Sequence, residues 1–70
     1  MVNMVPVISS NLSSVGYEES TRTLYIEFHH GGVYAYYDVP STIYNDLMNA
    51  DSKGHYHAVN IKNVFRYKKL

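Results

Sequence analysis

Two stretches near the middle of the chain alternate between apolar and polar side chains, which is the pattern of half-buried β-strands. Residues 23–28 carry their apolar side chains at Leu24, Ile26 and Phe28. Residues 33–39 repeat the alternation, and the link between the two stretches is His29-His30-Gly31-Gly32. Glycines permit the positive φ of a tight turn. A turn centred on His30 and Gly31 therefore predicts a β-hairpin in which Phe28 pairs with Val33.

The predicted register divides the side chains of this hairpin between two faces. It places Ile26 opposite Ala35 and Leu24 opposite Tyr37, so that the apolar residues share the inner face. Three rings then lie together on the outward face, at Tyr25, Tyr34 and Tyr36. The same register places the carboxylate of Glu27 among them.

A third strand is predicted before the hairpin. A turn through residues 19–22 pairs Val15 with Ile26 and Tyr17 with Leu24, which again directs apolar side chains inward. Gly16 falls opposite Tyr25, where an aromatic ring across the strand pair covers the backbone that a glycine leaves exposed.

The pattern changes to a helical one after Pro40. Ile43, Leu47 and Ala50 recur at the spacing of an amphipathic helix, and Ser52-Lys53-Gly54 indicates a turn and cap before a short second helix that ends near Asn60. Residues 64–70 alternate loosely and fit either a strand or a wrapped tail. We expect an α+β fold, a three-stranded antiparallel β-meander packed against one or two C-terminal helices, with residues 1–8 as an N-terminal extension and residues 9–70 as one small domain.

Size and composition narrow the class of protein. A chain of 70 residues buries a thin core and leaves little room for a deep catalytic cleft. Cysteine is absent, which excludes disulfides and thiolate zinc sites. The apolar start of the chain is interrupted by Asn3 and Pro6 and is far shorter than the ~20 residues of a membrane span. We therefore expect a cytoplasmic protein with no membrane partner.

Charge is strongly polarised along the chain. Residues 1–51 hold all six acidic residues and one basic residue, Arg22, whereas residues 52–70 hold five basic residues and no acidic one. The net charges of the two parts are −5 and +5, although the whole chain is formally neutral. A basic end of this kind attracts anions.

The order and spacing of several short motifs resemble the KTSC domain, a module found at the C-terminus of some lysyl-tRNA synthetases and as free-standing bacterial and phage proteins. The matching motifs are Ser9-Ser10-Asn11-Leu12, Val15-Gly16-Tyr17, Leu24-Tyr25-Ile26-Glu27-Phe28, Gly31-Gly32-Val33-Tyr34-Ala35-Tyr36-Tyr37, Val39-Pro40, Ser52-Lys53-Gly54 and Ile61. RNA binding has been suggested for this family. The resemblance therefore implies an RNA-binding role for this chain.

Two sets of residues are candidates for binding RNA or another polyanion. The cations of the basic end would contact phosphates, at Lys53, Lys62, Arg66, Lys68 and Lys69. The predicted outward rings would stack on bases, at Tyr25, Tyr34 and Tyr36. Each set also has an ordinary structural explanation, since tyrosine is favoured in strands and exposed lysines usually serve solubility.

Other functions have weaker support in the sequence. His29-His30 and His55-x-His57 are poorly spaced for a bidentate metal site, because adjacent strand residues face opposite sides and residues two apart diverge on a helix. No motif for a nucleophile or a phosphate loop occurs, so we expect a non-enzymatic protein without a metal or other cofactor. The alternatives to RNA binding are a protein-interaction or self-association module, and a binder of a small phosphorylated ligand.

Overall fold

The computed structural model describes residues 2–70 and shows five antiparallel strands and two helices. The strands lie side by side in chain order: β1 (Val5–Pro6), β2 (Leu12–Glu18), β3 (Thr23–Phe28), β4 (Val33–Tyr36) and β5 (Tyr67–Lys69). The helices α1 (Ser41–Asn49) and α2 (Lys53–Asn60) fall between β4 and β5 in the sequence. The predicted α+β meander of three strands is confirmed as β2, β3 and β4, and two short edge strands extend it.

The pairing of β2 with β3 follows the register expected from the alternation. Val15 lies opposite Ile26, Gly16 opposite Tyr25, and Tyr17 opposite Leu24. A β-bulge between Leu12 and Ser14 shifts the register, which lets both Leu12 and Val15 reach the buried face.

The hairpin between β3 and β4 differs by one residue from the predicted register. The Phe28 N–H donates to the Gly32 carbonyl and the Gly31 N–H to the Phe28 carbonyl. The loop therefore has three residues, 29–31, rather than two, and Gly31 and Gly32 both adopt positive φ. As a result Ile26 lies opposite Tyr34, and Leu24 opposite Tyr36.

This shift moves two tyrosines to the other side of the sheet, because directly opposed residues of an antiparallel pair point to the same face. Tyr34 and Tyr36 share the inner face with Leu24 and Ile26, whereas Ala35 lies opposite Tyr25 on the outer face. The predicted outward cluster of Tyr25, Tyr34 and Tyr36 is therefore wrong, and only Tyr25 lies on the outer face.

Both helices form where the pattern predicts them. The α2 helix begins after Ser52, whose hydroxyl accepts a hydrogen bond from the His55 N–H at 3.3 Å. Leu47 of α1 and Ile61 after α2 are fully buried against the inner sheet face. Burying one such side chain contributes about 1.5–3 kcal/mol, more than the roughly 0–1 kcal/mol of a surface ion pair. Apolar packing, not charge pairing, therefore stabilises this fold.

The two edge strands are short and exposed. Val5 and Pro6 of β1 pair with Val15 and Ser14 of β2, within the predicted N-terminal extension. Pro6 lacks an N–H, which suits an edge strand. The segment just before β1 crosses the outer face at Gly16, where an added Cβ would lie 2.6 Å from the side chain of Val2 and 2.8 Å from Met4 Sδ. Glycine at this position thus leaves room for the N-terminal segment.

The C-terminal segment contains a short strand. The sequence pattern fitted either a strand or a wrapped tail at residues 64–70. Tyr67 lies opposite Tyr36, Lys68 opposite Ala35, and Lys69 opposite Tyr34. Successive residues of β5 therefore face opposite sides of the sheet, Tyr67 and Lys69 with the inner face and Lys68 with the outer face.

Candidate functional site

A partly open pocket of about 230 Å³ lies at the β4–β5 end of the inner face, below the C-terminal end of α2. Strand residues form one wall and residues at and after the end of α2 form the other. The lining residues are Phe28, His30, Tyr34, Tyr36, His57, Lys62, Asn63 and Tyr67. Most of the lining residues therefore carry aromatic rings.

The rings of the pocket contact one another in a continuous cluster. Phe28 is stacked on His30 with 5.3 Å between ring centroids, and Tyr34 meets Phe28 edge-on at 5.4 Å. Tyr67 lies 5.8 Å from Tyr34 and 5.7 Å from Tyr36, in tilted arrangements. Tyr67 is 54% exposed and His30 is also exposed, so both rings are accessible from solvent. Exposed rings at the mouth of an aromatic pocket suit the stacking of a planar ligand.

Two polar groups at the back of the pocket bind each other. The Tyr36 hydroxyl and His57 Nε2 are 2.8 Å apart. Burial raises the pKa of Tyr36 to about 12, with a further rise from the nearby Tyr34 and Tyr67 phenols. Burial also lowers the pKa of His57, and the positive charge of Lys62 adds to this effect. Both side chains are therefore mainly neutral at pH 7, and they share one hydrogen bond.

Two cations flank the rings. Lys62 lines the pocket on the side of α2. On the sheet side, Lys69 Nζ lies 5.9 Å from the centroid of the Tyr34 ring, within reach of a cation–π contact. The absence of a side chain at Gly32 makes this possible, because an added Cβ would lie 2.9 Å from Lys69 Cε.

The other three predicted cations lie away from the pocket. Lys68 points to the outer face with Ala35. Arg66 lies 3.6 Å from the Asp38 carboxylate in an exposed ion pair and over the ring of Tyr37. Lys53 donates from Nζ to the Ala50 carbonyl. The structure thus brings Lys62 and Lys69 to the rings of the pocket, whereas Lys53, Arg66 and Lys68 lie away from that pocket.

The predicted tyrosines are also divided. Tyr34 and Tyr36 belong to the pocket, and Tyr36 is buried at 4% exposure. Tyr25 lies on the outer face, where the neighbouring Ser14 hydroxyl donates to Glu27 at 2.9 Å. The carboxylate of Glu27 is therefore on the opposite side of the sheet from the pocket.

Five lining residues are not among the site residues predicted from the sequence. The sequence pattern places Phe28 in the core, and it offers His30 and His57 only as weak metal-ligand candidates. Tyr67 enters only as a ring interleaved with the cations of the basic end, and Asn63 has no predicted role. Among residues 2–70 the structure has no group of three side chains suited to hold a metal ion. The alternation of Tyr67 and Lys69 carried the one usable signal, because it predicts that both face one side if residues 64–70 form a strand.

A second, more open pocket lies at the other end of the molecule. It is lined by Tyr17, Glu19, Arg22, Pro40 and Ser41. Its two charges have opposite signs, and the hydroxyl of Tyr17 already donates to the Val39 carbonyl at 2.6 Å. The aromatic pocket, flanked by two cations, is therefore the stronger candidate site.

The fold and the pocket define a small α+β domain built on an antiparallel sheet, with a ring-lined pocket on one face. The chain belongs to the KTSC domain family, which matches residues 8–65. The resemblance seen in the sequence motifs is thereby confirmed. No helix within residues 2–70 has the length and apolar character needed to cross a membrane.

Solved and curated relatives agree with this assignment. The crystal structure of a KTSC domain protein from Yersinia pestis superposes with a TM-score of 0.97 at 36% identity, covering 100% of this chain and 99% of that chain. A lysine–tRNA ligase from Trichormus variabilis is 48% identical over 54 residues, which are 77% of this chain. The match spans only 10% of that ligase. A protein from Tsukamurella paurometabola is 36% identical over 63 residues, covering 90% of this chain and 94% of that protein.

Proposed function

We propose that this chain is a small, non-enzymatic RNA-binding module that holds one unpaired base in the aromatic pocket. Lys62 and Lys69 contact the adjoining phosphates. The observation that carries the proposal is the meeting of exposed and half-buried rings with two cations at one partly open pocket. Rings that stack on bases beside cations that track the backbone are the two components of single-strand recognition.

The size of the pocket favours a single planar group. Pockets for drug-sized ligands are typically about 300–1,000 Å³, and this one is about 230 Å³. A single base therefore fits better than a larger ligand. Stacking of one base on an aromatic side chain contributes roughly 1–3 kcal/mol, which supports a modest affinity that phosphate contacts increase.

Electrostatics also favour a strand that passes along the inner face at β5. Glu27 points to the opposite face, where it accepts a hydrogen bond from Ser14. The cations near the rings thus have no carboxylate among the residues that line the pocket. An anionic backbone that approaches from this side meets Lys62 and Lys69 first.

The identity of one group of relatives supports the choice of RNA over other polyanions. The lysine–tRNA ligase from Trichormus variabilis contains a segment that is 48% identical to this chain. A ligase of that name acts on tRNA, so a domain of this family occurs in a protein that handles RNA. We extend that association to this chain as part of the proposal.

Two adjacent lysines on opposite faces of β5 provide a matched test. Lys69→Glu places a negative charge beside the pocket, whereas Lys68→Glu makes the same change in net charge on the outer face. By fluorescence anisotropy with a labelled single-stranded RNA octamer at low salt, we expect Lys69→Glu to weaken binding about tenfold, equivalent to about 1.4 kcal/mol. Lys68→Glu should change the affinity less than about threefold.

Circular dichroism should show that both variants remain folded, because the side chains of Lys68 and Lys69 are exposed. Equal losses in the two variants would show that net charge alone attracts RNA, and would remove the pocket from the proposal. A wild-type chain that fails to bind the octamer at low salt would overturn the proposed function.

A further inference from the structure

Two consecutive residues after α2 both line the pocket. Lys62 and Asn63 belong to the turn at residues 61–64, which is fixed by the fully buried side chain of Ile61. The Lys62 N–H donates to the His57 carbonyl at 2.8 Å, and the Val64 N–H donates to the Ile61 carbonyl at 3.1 Å. The backbone position of these two residues is therefore determined by the end of the helix.

Asn63 adopts a φ of 65°, in the left-handed region. Asparagine tolerates this region better than most residues, so the turn is compatible with an amide at the edge of the pocket. An amide group is both a donor and an acceptor, whereas the ammonium of Lys62 only donates. Tyr36 and His57 already bind each other. Lys62 and Asn63 therefore offer, at the edge of the pocket, a donor and a combined donor and acceptor for reading a bound base.

Building on the proposed function, we propose that the pocket selects an unpaired purine over a pyrimidine. The Asn63 amide N–H donates to N7, an acceptor that both purines carry and pyrimidines lack. For adenine, Asn63 Oδ1 also accepts from the amino group at position 6, the pairing that asparagine makes with adenine in nucleic-acid complexes. For guanine, the neighbouring Lys62 donates to O6. Tyr67 and Tyr34 supply the rings against which the base lies.

The test uses uridine octamers that carry a single different base near the centre. Fluorescence anisotropy at low salt should show octamers with one adenine or one guanine binding about five- to tenfold more tightly than those with cytosine or with uridine throughout. An octamer with 7-deazaadenine keeps the size of the purine ring and loses the N7 acceptor. We expect it to bind like the uridine octamer.

The matching protein variant is Asn63→Gly, because glycine accepts a positive φ without strain. It should abolish the preference for purines, so that the ratio of the affinities for the adenine and uridine octamers falls to about one. Equal binding of all octamers, or a preference that survives either loss of N7 or Asn63→Gly, would overturn the inference while the proposed function stands. A failure to bind any octamer, the uridine one included, would overturn both. Should the variant fail to fold, the 7-deazaadenine comparison still decides the outcome with the wild-type chain.

Discussion

At the scale of single residues, His57 connects the core with the pocket. Its ring meets Phe28 edge-on at 5.1 Å and Tyr36 at 5.7 Å, and its Nε2 shares a hydrogen bond with the Tyr36 hydroxyl. The ring is half-buried, and Lys62 is the cation that acts on it. Protonation would place a second positive charge beside Lys62 in a poorly solvated position.

The lowered pKa of His57 predicts a pH-dependent stability. The ordinary pKa is 6.5, and burial lowers it in the folded chain. The unfolded chain therefore binds a proton at pH values where folded His57 does not, so the free energy of unfolding decreases as the pH falls. The decrease begins near pH 6.5 and continues down to the folded-state pKa. Thermal unfolding measured between pH 7.5 and 5.5 should show a falling Tm.

His57→Gln is the control for this prediction. Glutamine retains hydrogen-bonding capacity and does not titrate, so the variant should lose most of the slope of Tm against pH, whatever its Tm at pH 7.5. The same slope in wild type and variant would assign the pH dependence to another group.

At the scale of secondary-structure elements, the hairpin shows which features the sequence pattern predicts and which it does not. Alternation identified β2, β3 and β4 and the correct β2–β3 register. The chain His29-His30-Gly31-Gly32 is compatible with a two-residue or a three-residue loop, because glycine permits positive φ at several positions. The structure adopts the longer loop. Since side chains alternate with a period of two, that one residue moved Tyr34 and Tyr36 from the predicted outer face to the inner one.

The edge strand β5 was harder to predict for a different reason. Its three residues are all exposed, and two of them are lysines, so it lacks the apolar periodicity that marks a half-buried strand. Its pairing depends on hydrogen bonds to β4, such as that from the Leu70 N–H to the Val33 carbonyl at 2.8 Å. The pocket is also hard to predict from the sequence, because Phe28, His57 and Tyr67 are far apart in the sequence and meet only in the folded chain.

The lysines of β5 also bear on self-association. An exposed strand edge invites pairing with another copy, and charged side chains on that edge oppose it. Two copies paired through β5 would bring Lys68 and Lys69 of each near those of the other. We therefore expect light scattering to give a monomer at high micromolar concentration, although Val64 and Leu70 nearby are exposed and apolar.

A double variant tests whether these charges prevent association. Lys68→Thr together with Lys69→Thr removes both charges and favours a strand, and should produce dimers or larger species. Lys53→Thr with Lys62→Thr removes the same charge away from the edge and should remain monomeric. A wild-type dimer at low micromolar concentration would instead favour the self-association alternative.

At the scale of the whole molecule, the polarised charge of the sequence does not become one basic surface. The +5 of residues 52–70 is spread over both sheet faces and the start of α2. Arg66 is partly neutralised by Asp38, 3.6 Å away, and Lys53 donates to the Ala50 carbonyl. Only Lys62 and Lys69 of this set lie near the pocket rings.

This distribution predicts a weak salt dependence of RNA binding. Each phosphate contact with single-stranded RNA contributes about −0.7 to the slope of log K against log salt. Contacts from Lys62 and Lys69 give about −1.4, whereas engagement of all five cations would give about −3.5. Titrations of the uridine octamer from low to physiological salt measure this slope directly. Lys69→Glu should reduce its magnitude to about 0.7, and a wild-type slope near −3.5 would show that cations on both faces take part.

The family match covers residues 8–65, so β5 and its two inward-facing side chains lie beyond the matched segment. The fully buried side chains of the core all come from earlier positions, the last of them at Ile61. We therefore expect replacement of Tyr67, which lines the pocket, and of Lys69, which lies beside the Tyr34 ring, to leave the packing of the core intact. Under the proposed function, a few substitutions in β5 would change the ligand preference of the scaffold at little cost to folding.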